Sequence, residues 1–176
     1  MQVFYMAQEP SACPLIPEIV KTCRTIATIP SLTNSTTMIV SMRYGKRLLI
    51  TGELRRPTEL TSNDFLEIVD VDPVKQIAIV IGVLPPPECT SLHWLLQQAR
   101  RDINVTLQCK DIELPSHLEA SLPRIEALDS LGYLELAKTV LPSLQDHNTI
   151  LINSQEMLTI SKSLSDIGQT LRSLFG

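Results

Sequence analysis

A thiol beside an ammonium, Cys109-Lys110, is the first local arrangement in this sequence that could do chemistry. The cation would lower the thiol's pKa and make Cys109 a nucleophile. The same thiol with His93 or His117 would offer donors to a metal, but no paired Cys or His spacing supports such a site. Lys110 itself, placed in a low-dielectric pocket, could serve as a base or form a Schiff base. Each of these residues also has an ordinary role. A cysteine at a strand end is by default a buried structural thiol. His93, on a helix flanked by leucines, is expected to be a hydrogen-bonded packing histidine. Trp94 beside it reads as packing or a subunit contact. His147 lies in Asp146-His147-Asn148, a helix-to-strand loop, and is expected in solvent. Glu88 sits where a helix begins, beside the positive end of its macrodipole.

Composition narrows the classes. The chain has 176 residues and is 44% hydrophobic and 19% charged, which suits one globular domain with a sizeable core. A net charge of -4 argues against general nucleic-acid binding, which depends on neutralising phosphates. Arg55-Arg56 and Arg100-Arg101 are the basic pairs, and pairs of that size are normally solvated surface. The longest apolar run, 77–87, holds Gly82 and three prolines and is far too short to span a bilayer. The first residues lack a basic stretch followed by a long apolar one, so no secretory signal is expected. Cys13, Cys23, Cys89 and Cys109 are spaced by 10, 66 and 20 residues, neither a zinc ribbon nor a compact disulfide framework. Reduced thiols in a cytoplasmic protein are the expectation.

Hydrophobic periodicity places the elements that would carry these side chains. Residues 1–16 read as a lead-in without clear periodicity, ahead of one domain over 17–176. A helix follows from Pro17, with Ile16, Ile19, Val20, Cys23 and Ile26 on one face, and ends at Pro30. Residues 37–42 and 47–51 form a predicted hairpin about Tyr44-Gly45-Lys46. Residues 60–64 read as a helical turn or cap, with strands at 65–71 and 76–83. After Pro85-Pro86-Pro87, Thr90 or Ser91 caps a helix to about Arg101. Residues 104–109 read as a buried strand and 110–129 as a long proline-containing loop. Residues 131–144 are helical with Leu131, Leu134, Ala137, Val140 and Leu144 inward. A strand pair at 149–153 and 157–160 precedes a last helix opened by Ser163 or Ser165. The hairpins imply an α/β fold with a largely antiparallel or mixed sheet.

That order of elements, with several strings, resembles the class II aldolase/adducin family, including L-fuculose-phosphate aldolases. Ser41-Met42-Arg43-Tyr44, Leu49-Ile50-Thr51, Glu59-Leu60-Thr61 and Val69-Asp70 match one part of its pattern. Glu88 to His93 and Arg101-Asp102-Ile103-Asn104-Val105 match a second. Gly132-Tyr133-Leu134-Glu135-Leu136-Ala137, Asn148 to Ile152 and Lys162-Ser163-Leu164 match a third. The likeness runs over roughly residues 17–172 in consistent order, and the ordered set carries the signal rather than any one string. It implies a three-layer α/β/α domain. It also implies a homo-oligomer, commonly a tetramer, with the cleft between subunits and a small-molecule ligand.

The family's chemistry needs three zinc-bound histidines, a proton-transfer carboxylate and a phosphate cradle. By the resemblance, the first two histidines fall at Gln108 and Lys110 and the third at Gln155. The register is supported by His93, since the family's helix histidine precedes its His-x-His by the same interval. Glutamine amides are weak zinc donors and a lysine ammonium repels the ion, so no metal or other cofactor is expected. Lys110 would place its own charge in the cation position. The cradle's Gly-Asn falls at Met38-Ile39, its Pro-Ser-Gly turn at Gly52-Glu53-Leu54, and its Ser-Ser at Pro86-Pro87, which removes two hydroxyls and two amide donors. Glu88 stands near the carboxylate position, one residue further from His93 than the family's interval. The expectation is a non-catalytic member with a structural, oligomeric or ligand-binding role. The alternative is a divergent aldolase or epimerase-type enzyme, or a sensor, using Glu88, His93, Lys110 and Gln155 in the same cleft, with Cys109 as a further candidate.

Overall fold

The computed structural model describes residues 1–32, 37–53, 55–126 and 132–176. Among these described residues, nine strands share one sheet. They are β1 (Gln2–Ala7), β2 (Thr37–Tyr44), β3 (Arg47–Thr51), β4 (Phe65–Asp72), β5 (Ile77–Ile81), β6 (Val105–Lys110), β7 (Arg124–Ile125), β8 (Thr149–Ile152) and β9 (Glu156–Ser161). Five α-helices accompany them: α1 (Ile16–Ile26), α2 (Thr90–Ala99), α3 (Ser116–Ser121), α4 (Tyr133–Asp146) and α5 (Leu164–Phe175). The strand order is β1-β5-β4-β3-β2-β6-β9-β8-β7, parallel only at the β1/β5 and β7/β8 pairs. The fold is α/β with a mixed sheet, as the hairpin pattern implies.

Period-two alternation sorts the side chains onto two faces. On β2 and β6 the even residues Met38 and Val40 and the odd residues Leu107 and Cys109 face the core beneath α1 and α5. There they meet Ile19, Cys23, Ile167 and Leu171, whose helical spacing gives each helix its apolar stripe. The opposite face receives α2 and α4. Leu92 and Leu96 of α2 pack with Leu136, Val140 and Leu144 of α4 over Ile150, Leu158 and Ile160. Leu66, Ile68, Val80 and Ile50 fill the remainder of that layer with Trp94. The molecule is therefore three layers deep, helix on sheet on helix.

Local chemistry fixes the joints. Gly45 at φ +61 makes the β2–β3 turn. Before β4, the Asp64 carboxylate accepts from the Thr61 amide and hydroxyl, both at 2.7 Å, and from Arg55 Nε at 3.1 Å. Burial alone would raise the Asp64 pKa, but these donors and the Arg55 charge hold it below its ordinary value. Ser163 caps α5, its hydroxyl accepting from the Asp166 amide at 3.1 Å.

Two expectations need correction. The lead-in is not structureless: residues 2–7 form β1, hydrogen-bonded along β5 at the sheet edge. The segment after Lys110 is not all loop, because it holds α3 and the two-residue strand β7. Leu131, expected inward, and Leu54, in the expected Pro-Ser-Gly turn, lie outside the described residues.

Candidate functional site

Gln108 and Lys110 are two residues apart on β6, so both side chains leave the face covered by α2 and α4. The β6–β9 register sets Lys110 opposite Glu156 and Gln108 opposite Leu158. Glu156 then holds two partners. Lys110 Nζ lies 3.7 Å from one carboxylate oxygen, and the Gln108 amide nitrogen donates to the other. Because the Gln108 nitrogen faces a carboxylate, its carbonyl oxygen faces inward, 3.0 Å from His93 Nε2. His93 must donate there, so the imidazole is the Nε2–H tautomer and Nδ1 accepts from the Ser41 hydroxyl at 2.8 Å. Ser41 in turn accepts from the Gln97 amide nitrogen at 3.4 Å.

Every donor in this chain points the same way, from Gln97 through Ser41, His93 and Gln108 to Glu156. The four upstream residues are buried, His93 and Gln108 completely. Burial pushes the His93 pKa down to about 4, and the Gln108 hydrogen bond only partly opposes that. The expected packing histidine is what the structure contains.

Above this network opens a cleft of about 230 Å³. Its walls bring together Glu88 and Cys89 at the start of α2, Tyr133 at the start of α4, Glu53, Ile39 and Lys110. Cys89 is buried, and desolvation pushes its thiol up to about 12. Tyr133 is raised to about 12, first by burial and then by the neighbouring Cys89, Glu156 and Glu88. Its phenol is a neutral donor. The cleft thus unites Glu88 with Lys110, while Gln108 and His93 form the sealed layer beneath rather than its surface.

Other expected residues fall elsewhere. Cys109 is corrected: strand alternation turns it to the α1/α5 face, fully buried near Cys23, and burial pushes its thiol up to about 12. Lys110 does not activate it, because neighbours on a strand point to opposite faces. Gln155 is exposed in the β8–β9 turn, its backbone carbonyl accepting from the Ile112 amide at 3.3 Å, and it shares a shallow depression with Lys110 and Glu156. His117, on α3, and His147 are exposed, and Trp94 packs in the core. Among the described residues no group of three or more His, Cys, Asp or Glu is arranged to hold a metal. Tyr133 and Glu156 are site residues that single-residue reasoning passes over. Glu156 had a signal, in that strands 104–109 and 157–160 are neighbours if Gln108, Lys110 and Gln155 converge.

Neither a protein-family model nor a curated protein matches the sequence. Solved structures do. An L-fuculose 1-phosphate aldolase superposes with a TM-score of 0.68 at 16% identity, over 92% of this chain and 82% of that one. A sugar-phosphate aldolase from Thermotoga maritima gives 0.65 at 12%, over 90% of each chain. The N-terminal class II aldolase domain of a Thermoplasma acidophilum protein gives 0.62 at 15%, over 96% and 93%. This chain has the class II aldolase fold. Identities this low establish fold, and what the class II aldolase scaffold does here must be argued from its cleft.

Zinc, which the resemblance implies, does not fit the residues present. The Gln108 carbonyl is already taken by His93 and its nitrogen by Glu156. The Lys110 ammonium stands beside it and already takes up the Glu156 charge that a metal ion would need. Gln155 offers an amide from an exposed turn.

Proposed function

We propose that this class II aldolase-like chain is a non-catalytic protein that binds a small molecule in the cleft between α2 and α4 and works as a homo-oligomer. One observation carries the reading: Lys110 and Glu156 neutralise each other, with Gln108 locked between Glu156 and His93, in the region that a catalytic metal would need. With that cation and carboxylate paired, and no group of metal-ligating side chains among the described residues, nothing beside them polarises a carbonyl. The Glu88 carboxylate at the rim faces a substrate proton that no Lewis acid has acidified. The remaining cleft is suited to holding a ligand: apolar side walls, the Tyr133 phenol as donor, and Glu88 and Glu53 at its rim. The buried, unpaired state of all four cysteines favours a reducing, cytoplasmic location. Among the described residues, no helix is long and apolar enough to cross a membrane.

The test is retro-aldol cleavage of L-fuculose 1-phosphate by purified protein supplied with zinc. No product above the zinc-only control is expected. Saturable, zinc-dependent cleavage would refute the non-catalytic reading.

A second reading, a divergent lyase or a sensor of carbonyl compounds, draws on Lys110, Glu88 and Tyr133 sharing one cleft. Borohydride trapping with candidate aldehydes, followed by peptide mass spectrometry, separates the two. An adduct on Lys110 favours the second reading, and unmodified Lys110 favours the first.

A further inference from the structure

A larger concavity than the cleft lies towards the other end of α2. Glu88 and Cys89 of the cleft precede its first turn, whereas Gln98, about 14 Å further along the helix axis, borders a groove together with Trp94 and Arg101. This groove has a volume of about 650 Å³, against about 230 Å³ for the cleft. Three cations reach it from three segments: Arg43 from the end of β2, Lys46 from the hairpin turn and Arg101 from beyond α2. One carboxylate, Asp70 of β4, joins them.

The charges are arranged unlike those nearby. Arg47 and Arg100, the chain neighbours of two of these cations, are each paired with a carboxylate at 2.7 Å, to Glu67 and Asp102. Lys46 and Arg101 are exposed and form no ion pair among the described residues. Arg43 is anchored instead of paired. One terminal nitrogen donates to the carbonyls of Gln97 and Ile103, and its Nε is buried without a hydrogen-bond partner among the described residues. Arg43 thus brings positive charge to the groove wall from a guanidinium held in place by backbone carbonyls. In a chain of net charge -4, three cations against one carboxylate make this groove a local reversal of sign.

We propose that this groove binds a small phosphate ester bearing hydroxyl groups. A tetrahedral dianion offers acceptors in several directions and so suits donors arriving from three segments better than a planar carboxylate. Lys46 and Arg101 hold the phosphate over Arg43. Asp70 uses one oxygen to accept from the Val71 amide at 2.9 Å, and its carboxylate receives a ligand hydroxyl. Trp94 and Val69 line the apolar side for the carbon skeleton. A nucleic acid is a poorer fit, because the cations end at one groove and Asp70 stands among them.

The proposal is independent of the cleft, and its test keeps the two apart. Titration calorimetry is run on the whole protein with glycerol 3-phosphate, and with citrate as a tricarboxylate comparator. Saturable glycerol 3-phosphate binding, stronger than citrate binding, is expected. The double variant Lys46→Ala/Arg101→Ala alters two exposed side chains and should weaken binding by about tenfold or more, the order set by losing charge-assisted hydrogen bonds. Lys110→Met, in the cleft, should leave the affinity unchanged. Three results would overturn the proposal: no saturable heat to about 10 mM ligand, binding that survives the double variant, or binding abolished by Lys110→Met. Tighter binding of citrate would overturn the phosphate assignment.

Discussion

Acidification should remove stability through one residue, His93. In the folded protein its pKa is about 4, lowered by burial, against an ordinary value of 6.5. Between these values the unfolded chain carries the extra proton and the folded chain does not, so stability rises with pH across that window and falls as pH drops. With these two values, linkage gives a loss of about 2 kcal/mol between pH 7 and pH 5 and about 3 kcal/mol by pH 4. The structural cause is the direction of the hydrogen-bond chain. A protonated Nδ1 would have to donate to the Ser41 hydroxyl, which now donates to it, between two side chains that have no solvent exposure. The assay is urea unfolding at pH 7 and pH 5 for the wild type and for His93→Gln. Carboxylates respond alike in both, so the difference between the two pH dependences isolates the histidine. The wild type should lose about 2 kcal/mol more than the variant. Equal losses would refute the reasoning. Should the variant fail to fold, nitrogen-15 NMR of the wild-type imidazole decides the matter, since a neutral Nε2–H form must persist at pH 5.

Two further outcomes concern the scaffold. Ser163→Ala removes the α5 cap and should lower stability by about 1 kcal/mol in urea unfolding; no change would mean that another group satisfies the Asp166 amide. Gly82→Ala places a Cβ 2.6 Å from the Leu66 Cβ at a backbone φ of +155, and should cost about 2 kcal/mol or more by the same assay.

Much of this architecture was legible because burial imposes a period. The hairpin at 37–51, the β8–β9 pair and the Ser163 cap follow from alternation and capping chemistry, and the ordered strings about them resemble the family whose fold the chain shares. β1 was not legible for a physical reason. As an edge strand it is mostly exposed on both faces, Met6 at 63%, so no alternation marks it. α3 and β7 are too short to show a period at all. In the site, the adjacency of Cys109 and Lys110 suggests reactivity, whereas strand parity sends them to opposite layers, and parity prevails. Glu156 and Tyr133 become site residues only through register and helix placement. Lys46, Asp70 and Arg101 are brought together from separate segments, which no local pattern in the sequence records.

The proposed function rests on Lys110, Glu156 and Gln108 pairing with one another where a metal ion would need ligands. Zinc content decides it most directly, measured by plasma mass spectrometry on untagged protein after incubation with zinc and removal of the excess. The expected result is below about a tenth of an equivalent, because no neutral imidazole faces the cleft. Near-stoichiometric zinc, lost on substitution of Glu156 or Glu88, would contradict the account.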